Sequence, residues 1–335
     1  MKAYVLHGIN DLRYEEVEKP DCPVGWAIIK VKAAGICSSD IPRIYTKGTY
    51  HFPTIPGHEL AGIVDSVGCD IDSSLIGKHV GVFPLIPCRE CDQCNEKHYE
   101  MCAHYDYIGS RRDGGFAEYV AVPVWNLIEL PSDMSFACAA MLEPLSVALH
   151  AIKMGQIQKG DSVGIIGTGM IGICAAQWAR KLGAGKVTVI GRNENKRSII
   201  EAIGLNYETN ASDEFNVVLE AVGTPQSIIS SIKATLSGGK LILMGNPSGN
   251  IELPQDIYWR ILRKQLTLRG TWNSSYDGNN PSDWYEVVRA LSEAEIQVGN
   301  LISHYFNQEN LICGLELMRN HEKPYCKVMT LWNQE

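Results

Sequence analysis

The stretch SVGIIGTGMIGICAAQWARKLG, residues 162–183, decides the fold of the middle part of this chain. Its first five residues form a short apolar run closed by glycine, the pattern of a buried strand, and MIGICAAQWARKLG has the composition of a helix ending at Gly183. Between them lies G-x-G-x-x-G, formed by Gly167, Gly169 and Gly172, with Met170 and Ile171 opening the helix. In this setting Gly167 permits a tight turn, Gly169 lets a pyrophosphate approach the backbone, and Gly172 allows close helix–strand packing. The helix N-terminus then offers unpaired N–H groups to the phosphates. A glycine motif that serves packing alone is the competing interpretation.

Working outward, the same alternation repeats. KVTVIG (186–191), FNVVLEAVG (215–223) and KLILMG (240–245) have strand patterns, and TPQSIISSIKATLSGG (224–239) has that of a helix opened by Thr-Pro. Repeated β-α-β units imply a doubly wound parallel sheet. EPLSVALHAIKMG (143–155) is expected to be helical, with Leu145, Ala148, Leu149 and Ile152 on one face, and Ser282 is placed to cap a helix over SDWYEVVRALSEA. Only NASDE separates GLNYET from FNVVLEAVG. A parallel crossover usually takes about a dozen residues, so a loop is expected there in place of a helix, with one sheet face near the edge left less covered.

Residues 1 to about 130 show β-branched runs such as AIIKVKAAGIC and AGIVDSVG between dense Gly/Pro punctuation, a strand-and-turn texture. Within it, PCRECDQCNEKHYEMC (87–102) holds Cys88, Cys91, Cys94 and Cys102 at the spacing C-x2-C-x2-C-x7-C. Four thiolates suit a closed tetrahedral zinc site that stabilises a lobe without a core of its own. An iron–sulfur cluster is the competitor, though its usual run departs from C-x7-C. A third constellation joins Cys37 and Asp40 of GICSSD, His58 and Glu59 of PGHELAG, and Glu143 of MLEPLS. Thiolate, imidazole and carboxylate can bind zinc and leave a position open for substrate, although each residue alone has an ordinary structural explanation.

The chain has 335 residues, 45% of them hydrophobic, and a formal charge of -8 with no basic block. That is room for two domains and argues against a nucleic-acid surface. The opening MKAYVLHGINDLRYEEVE turns acidic without an apolar run of signal-peptide length. Ser162–Ala179 is uncharged, but its glycines and mid-segment change of pattern argue against a membrane span. A soluble, cytoplasmic protein is expected, in which the eleven cysteines serve as thiols or metal ligands. The scattered Cys22, Cys69, Cys138, Cys174, Cys313 and Cys326 are expected to be core thiols.

GHELAGIVDSVG, the four-cysteine lobe and GTGMIG, in that order, resemble the zinc-dependent medium-chain dehydrogenases over nearly the whole chain. CSSDIPRIYTKGTYHFPTIPGHE and YDYIGSRRDGGFAEYVAV are most similar to the galactitol-1-phosphate 5-dehydrogenases and related polyol-phosphate dehydrogenases. The resemblance implies an α/β chain with a GroES-like β-barrel catalytic domain over residues 1–142, including a zinc lobe at 84–104. A Rossmann doubly wound parallel-sheet domain would follow at 143–296, and 297–335 would return to the first domain. It further implies two zinc ions, a structural one on Cys88, Cys91, Cys94 and Cys102 and a catalytic one on Cys37, His58, Glu59 and Glu143. The two glutamates would also take part in catalysis.

The implied reaction is reversible oxidation of a secondary alcohol on a sugar-alcohol phosphate, with an unphosphorylated polyol as the alternative substrate. Zinc would lower the pKa of the alcohol, and hydride would pass to a nicotinamide. Ser39 matches the position that takes the alcohol proton, while Asp40 would support a ligand or cap a helix. Pro42 stands where many relatives carry a histidine, which leaves open the route by which the proton departs. Arg43, Arg111 and Arg112 are the candidates for holding a substrate phosphate. Gly191 stands where an NAD-binding strand usually ends in an acidic residue, and Arg192 follows it, so NADP is expected over NAD. Members of the family commonly form homodimers or homotetramers. A non-catalytic cofactor sensor or a quinone-reductase-like enzyme would lack the open metal set.

Overall fold

The computed structural model describes residues 1–247, 249–321 and 323–334, and the chain divides into two compact units. One comprises Met1–Glu143, Ser275–Ala294 and Val298–Glu335, the other Pro144–Ser274 and Glu295–Gln297.

The second unit is built on a parallel sheet of six strands. Across it run Asn206–Glu208, Lys186–Ile190, Ser162–Ile166, Phe215–Glu220, Thr235–Leu243 and Thr267–Gly270. The order reverses beside Ser162–Ile166, and in open sheets of this kind ligands bind at such a switch point, beyond the carboxyl ends of the strands. The glycine motif occupies that position. The expected strand and helix of the opening stretch are both present, the helix running Met170–Lys181. Ser162–Ala179 is therefore split between two elements and forms no spanning helix. Phe136–Met154 has the length and composition for a membrane span, yet 72% of its most apolar window is buried within the protein.

Thr224 caps the helix Pro225–Ala234 by accepting from Ser227 N, with proline at the first position. The helix stops earlier than its sequence suggests, because Thr235 turns to extended geometry and begins the next strand. Residues 209–214 contain no helix, as their number dictates. The thinner cover expected near the edge is confined to one face of the outermost strand, where Asn206 is exposed and Glu208 half-buried. Val187, Thr188, Val189 and Ile190 all remain buried, and Arg197 lies over the Tyr207 ring on the outermost strand.

The first unit contains a mostly antiparallel sheet of seven strands. Trp26–Ile36 lies at its centre, pairing with Glu59–Val67, Tyr119–Pro123 and the C-terminal strand Lys327–Leu331. Ala27, Ile29, Val31, Val64, Val80, Val122 and Leu315 are among its core residues. Residues 275–294, expected in the Rossmann domain, pack in this unit instead. The cause is aromatic: Tyr276 and Trp284 contact Phe83 with ring centroids 5.0 and 5.4 Å away, and Trp125 contacts Tyr276 at 5.0 Å. Ser282 precedes the helix Asp283–Ser292 as expected, but its hydroxyl makes no capping bond. Of the scattered cysteines, Cys174 and Cys326 are buried, Cys22 and Cys138 are partly buried, and Cys69 and Cys313 are exposed. The last two lie at surface positions that their apolar sequence neighbours conceal.

Candidate functional site

Cys37 follows the end of the strand Trp26–Ile36, and Glu59 opens the neighbouring strand directly opposite Gly35. That pairing requires glycine: a Cβ on Gly35 would come within 2.2 Å of Glu59 Oε2. Gly57, at φ +99° and against the Phe116 ring, turns the chain so that His58 points inward. The sulfur of Cys37, a nitrogen of His58 and an oxygen of Glu59 consequently lie within 4.8 Å of one another.

Several side chains hold this cluster. Asp40, fully buried, accepts from the Cys37 N–H at 3.0 Å and from Arg43 Nη1 at 2.5 Å, and its Oδ1 lies 3.6 Å from His58 Nδ1. Burial opposes its ionisation, but His58, Arg43 and the Cys37 N–H together hold the carboxyl below its usual range. Burial also opposes charge on His58, whose Nδ1 has no hydrogen-bond partner, yet Asp40 and Cys37 raise its pKa well above the imidazole range. The cluster thus calls for positive charge, which a divalent cation supplies.

Glu143, at the start of the helix Leu142–Met154, accepts from the Tyr107 hydroxyl at 3.3 Å. Burial, with Glu59 adding repulsion, pushes its carboxyl up to about 7. Ser39 donates to Cys37 Sγ at 3.3 Å and lines an open pocket of about 360 Å³ with Arg43, Thr49 and Tyr50.

Two partners of the cluster carry no signal in a reading of local sequence. Tyr107 is one. The other is Lys327, whose Nζ donates to Glu59 Oε2 at 2.5 Å and to the Ile36 carbonyl at 3.2 Å. A lysine interrupting an apolar strand, in YCKVMT, is the only clue to it. Burial works against its charge, but Glu59 and Cys37 outweigh burial and raise its pKa.

The four-cysteine lobe passes a geometric test for a single metal ion. Zinc at about 2.3 Å from four tetrahedral sulfurs separates them by roughly 3.8 Å. Here the Sγ atoms of Cys88 and Cys94 are 3.9 Å apart, those of Cys91 and Cys102 4.0 Å, and those of Cys102 and Cys88 3.4 Å. A four-iron cluster gives each thiolate its own iron and a two-iron cluster divides the four thiolates between two irons, so either spreads the sulfurs further. Backbone N–H groups at Ala103 and Cys94 draw the Cys91 thiol down to about 6, while burial pushes that of Cys94 up to about 12. The second of these needs a cation to become a thiolate.

In the second unit, Gly167 has φ +128°, a Cβ on Gly172 would lie 2.1 Å from the Gly167 carbonyl, and nothing lies within 4 Å of one on Gly169. The turn, the close packing and the open approach are therefore assigned as the motif requires. Gly191 ends the second strand, and a Cβ there would meet Thr168 Cγ2 at 2.4 Å. Arg192 is exposed and unpaired among the described residues. Arg197 is committed to Glu194 and Glu201, and Lys196 is buried.

Family models for the alcohol dehydrogenase GroES-like domain and the zinc-binding dehydrogenase match residues 23–132 and 171–293. The chain is 36% identical to galactitol 1-phosphate 5-dehydrogenase of Escherichia coli (strain K12), with 82% of this chain and 84% of that protein covered. It belongs to the zinc-dependent medium-chain dehydrogenases. Within that family it is also 30% identical to the D-xylulose reductase of Scheffersomyces stipitis, over 95% of both chains.

Galactitol-1-phosphate dehydrogenase from Escherichia coli has a similar structure, with TM-score 0.91, 32% identity and coverage of 99% of this chain and 100% of that one. Two further similar structures hold nicotinamide cofactors. One is a short chain alcohol dehydrogenase from Escherichia coli CFT073 with NADH (26% identity, TM-score 0.90, 99% of each chain). The other is a zinc-binding dehydrogenase from Sinorhizobium meliloti 1021 with NADP (25%, 0.90, 98% of each). This medium-chain dehydrogenase is accordingly an oxidoreductase of the zinc-type alcohol and polyol dehydrogenases.

The predicted phosphate-binding arginines fall into two groups: Arg111 and Arg112 line one pocket of about 630 Å³, and Arg43 lines the one beside Ser39. Arg43 lies beside Ser39, tied to Asp40. Arg111 is held between the rings of Tyr50 and Tyr105 and donates to the Tyr105 carbonyl. Arg112 pairs with Asp106 and lies over Trp26.

Proposed function

We propose that this enzyme reversibly oxidises a secondary alcohol of a sugar-alcohol phosphate, using zinc and NADP in preference to NAD. The observation that carries the reading is the Cys37–His58–Glu59 cluster with a serine hydroxyl resting on its sulfur. Cys37 and His58, with a carboxylate drawn from Glu59 and Glu143, would hold the catalytic ion. Cys88, Cys91, Cys94 and Cys102 would hold a second, structural ion. Zinc supplies Lewis acidity that lowers the pKa of a bound alcohol, and the nicotinamide supplies the hydride acceptor.

The remaining work falls to side chains. Ser39 takes the alcohol proton, and water in the open pocket it shares with Thr49 and Tyr50 carries that proton away, a role Pro42 cannot fill. Asp40 orients His58, and Tyr107 orients Glu143. Gly167, Gly169, Met170, Ile171 and Gly172 cradle the pyrophosphate at the helix N-terminus. Gly191 places no carboxylate at the end of that strand to repel a 2′-phosphate, and Arg192 is uncommitted and able to meet one. The phosphate on the substrate is supported by the relative whose name specifies a galactitol 1-phosphate and by the two cationic residues, Arg43 and Lys47, that line the pocket beside Ser39.

An oligomer of identical chains is supported by the edge strand Thr267–Gly270, exposed along its length. Leu268, Trp259, Leu262 and Trp272 are exposed with it. Eleven free cysteines favour a reducing, cytoplasmic setting.

Initial rates of the zinc-loaded enzyme, measured over matched polyols and polyol phosphates with each cofactor, test the proposal. A higher kcat/KM for a polyol phosphate than for its parent polyol is expected. Equal or better use of the parent polyol would overturn the phosphate assignment and leave an ordinary polyol dehydrogenase.

A further inference from the structure

The pocket beside Ser39 has a second polar end. Ser39 precedes the helical stretch that begins at Asp40, and Lys47 closes that stretch, with both residues lining the same pocket of about 360 Å³. With an α-helical rise of about 1.5 Å per residue over Asp40–Pro42 and the lower rise of the π-helical Arg43–Lys47, the two ends lie less than about 12 Å apart along the axis. One end carries the hydroxyl that contacts the Cys37 sulfur, and the other carries an ammonium group.

The cations nearby differ in how far they are already engaged. Arg43 gives its Nη1 to the buried Asp40 carboxylate and has a side chain only 17% exposed. Arg111 is enclosed by two tyrosine rings, and Arg112 is neutralised by Asp106. Lys47 is exposed and makes no ion pair or hydrogen bond among the described residues. Among these four it is the charge that can meet a phosphate without first releasing a partner. An ammonium on a flexible stem also suits a group whose position shifts with substrate length, since it acts as a point charge.

We infer that Lys47 is the residue that recognises the terminal phosphate of the substrate, while the hydroxyl to be oxidised lies several carbons away at the Ser39 end. Arg43 then serves to fix Asp40, and through it His58, while facing the same pocket. The inference rests on the polyol-phosphate reading above. It differs from that reading in naming a single specificity-determining residue.

The experiment compares wild-type enzyme with Lys47→Met and Lys47→Arg, all zinc-loaded, on a polyol phosphate and its parent polyol. A charge-assisted contact of this kind corresponds to about tenfold or more in kcat/KM. Lys47→Met should therefore lower the phosphate-to-polyol ratio at least about tenfold, chiefly through KM, and Lys47→Arg should restore most of it. Inorganic phosphate, tested as a competitor of the polyol phosphate, should inhibit Lys47→Met more weakly than wild type. Because Lys47 is exposed, zinc content and Tm should match the wild type and confirm intact protein. A wild-type enzyme that prefers the phosphate, with a ratio and phosphate inhibition unmoved in Lys47→Met, overturns this inference alone. A wild-type enzyme with no preference overturns the proposed substrate class, and this inference with it.

Discussion

Lys327 is where the site is most open to a quantitative test. Its Nζ lies 2.5 Å from Glu59 Oε2, and the two side chains are 4% and 1% exposed. Lys327→Met keeps much of the volume and removes only the cation. Breaking a buried pair from one side costs about 3–5 kcal/mol, because the surviving charge stays buried without its partner. That penalty should appear in full after chelation. It should be smaller in the zinc-loaded enzyme, where the divalent ion partly compensates Glu59.

Adding Glu59→Gln removes the stranded charge, so the double variant should be more stable than the sum of the single losses predicts. The coupling should reach about 1–3 kcal/mol. Urea unfolding with and without chelator, together with the rate of zinc loss, measures each corner of the cycle. A loss below about 1 kcal/mol for Lys327→Met in the stripped protein, or strict additivity in the cycle, would refute the reasoning. The pair would then be an incidental contact of the C-terminal strand.

Other consequences can be checked more briefly. In the stripped protein the Glu143 carboxyl, pushed up to about 7 by burial, holds its proton where the unfolded chain has lost it. Stability should therefore fall as pH rises from about 4.5 to about 7, by about 3 kcal/mol, and Glu143→Gln should flatten that slope under chelator. Elemental analysis should find two zinc ions per chain, the one at Cys37 and His58 leaving first because its coordination is open. Cys94→Ser should lose the other ion together with stability, and iron in the active enzyme would contradict this assignment. The ratio of kcat/KM for NADP to that for NAD should exceed one and reverse in Gly191→Asp with Arg192→Ile. Thr168→Ala should accompany those changes, since a Cβ at position 191 meets Thr168 at 2.4 Å.

How much of this was legible in the sequence depended on how far apart the participants lie along the chain. The four-cysteine lobe and the glycine motif are each contained within a few turns of backbone, so their spacing, read with the flanking elements and the family resemblance, pointed to their geometry. The missing crossover helix was legible for the same reason, because too few residues separate the two strands. The burial of the sheet beside that short loop was not, since it depends on what other segments place over it. Residues 282–294 showed a clear helical pattern, but periodicity reports that a helix has an apolar face and is silent on which surface receives it. Aromatic contacts with Phe83 made that choice.

Lys327 lies 268 positions from Glu59, and no window of sequence contains both. Gly35 shows the limit most sharply. In sequence it is a glycine that weakens a strand, of the kind that can mark a close approach by other groups. Across the ladder a Cβ there would sit 2.2 Å from Glu59 Oε2. A side chain at position 35 would thus displace the Glu59 carboxylate from its place beside Cys37 and His58, a conflict set by a register that only the folded sheet establishes.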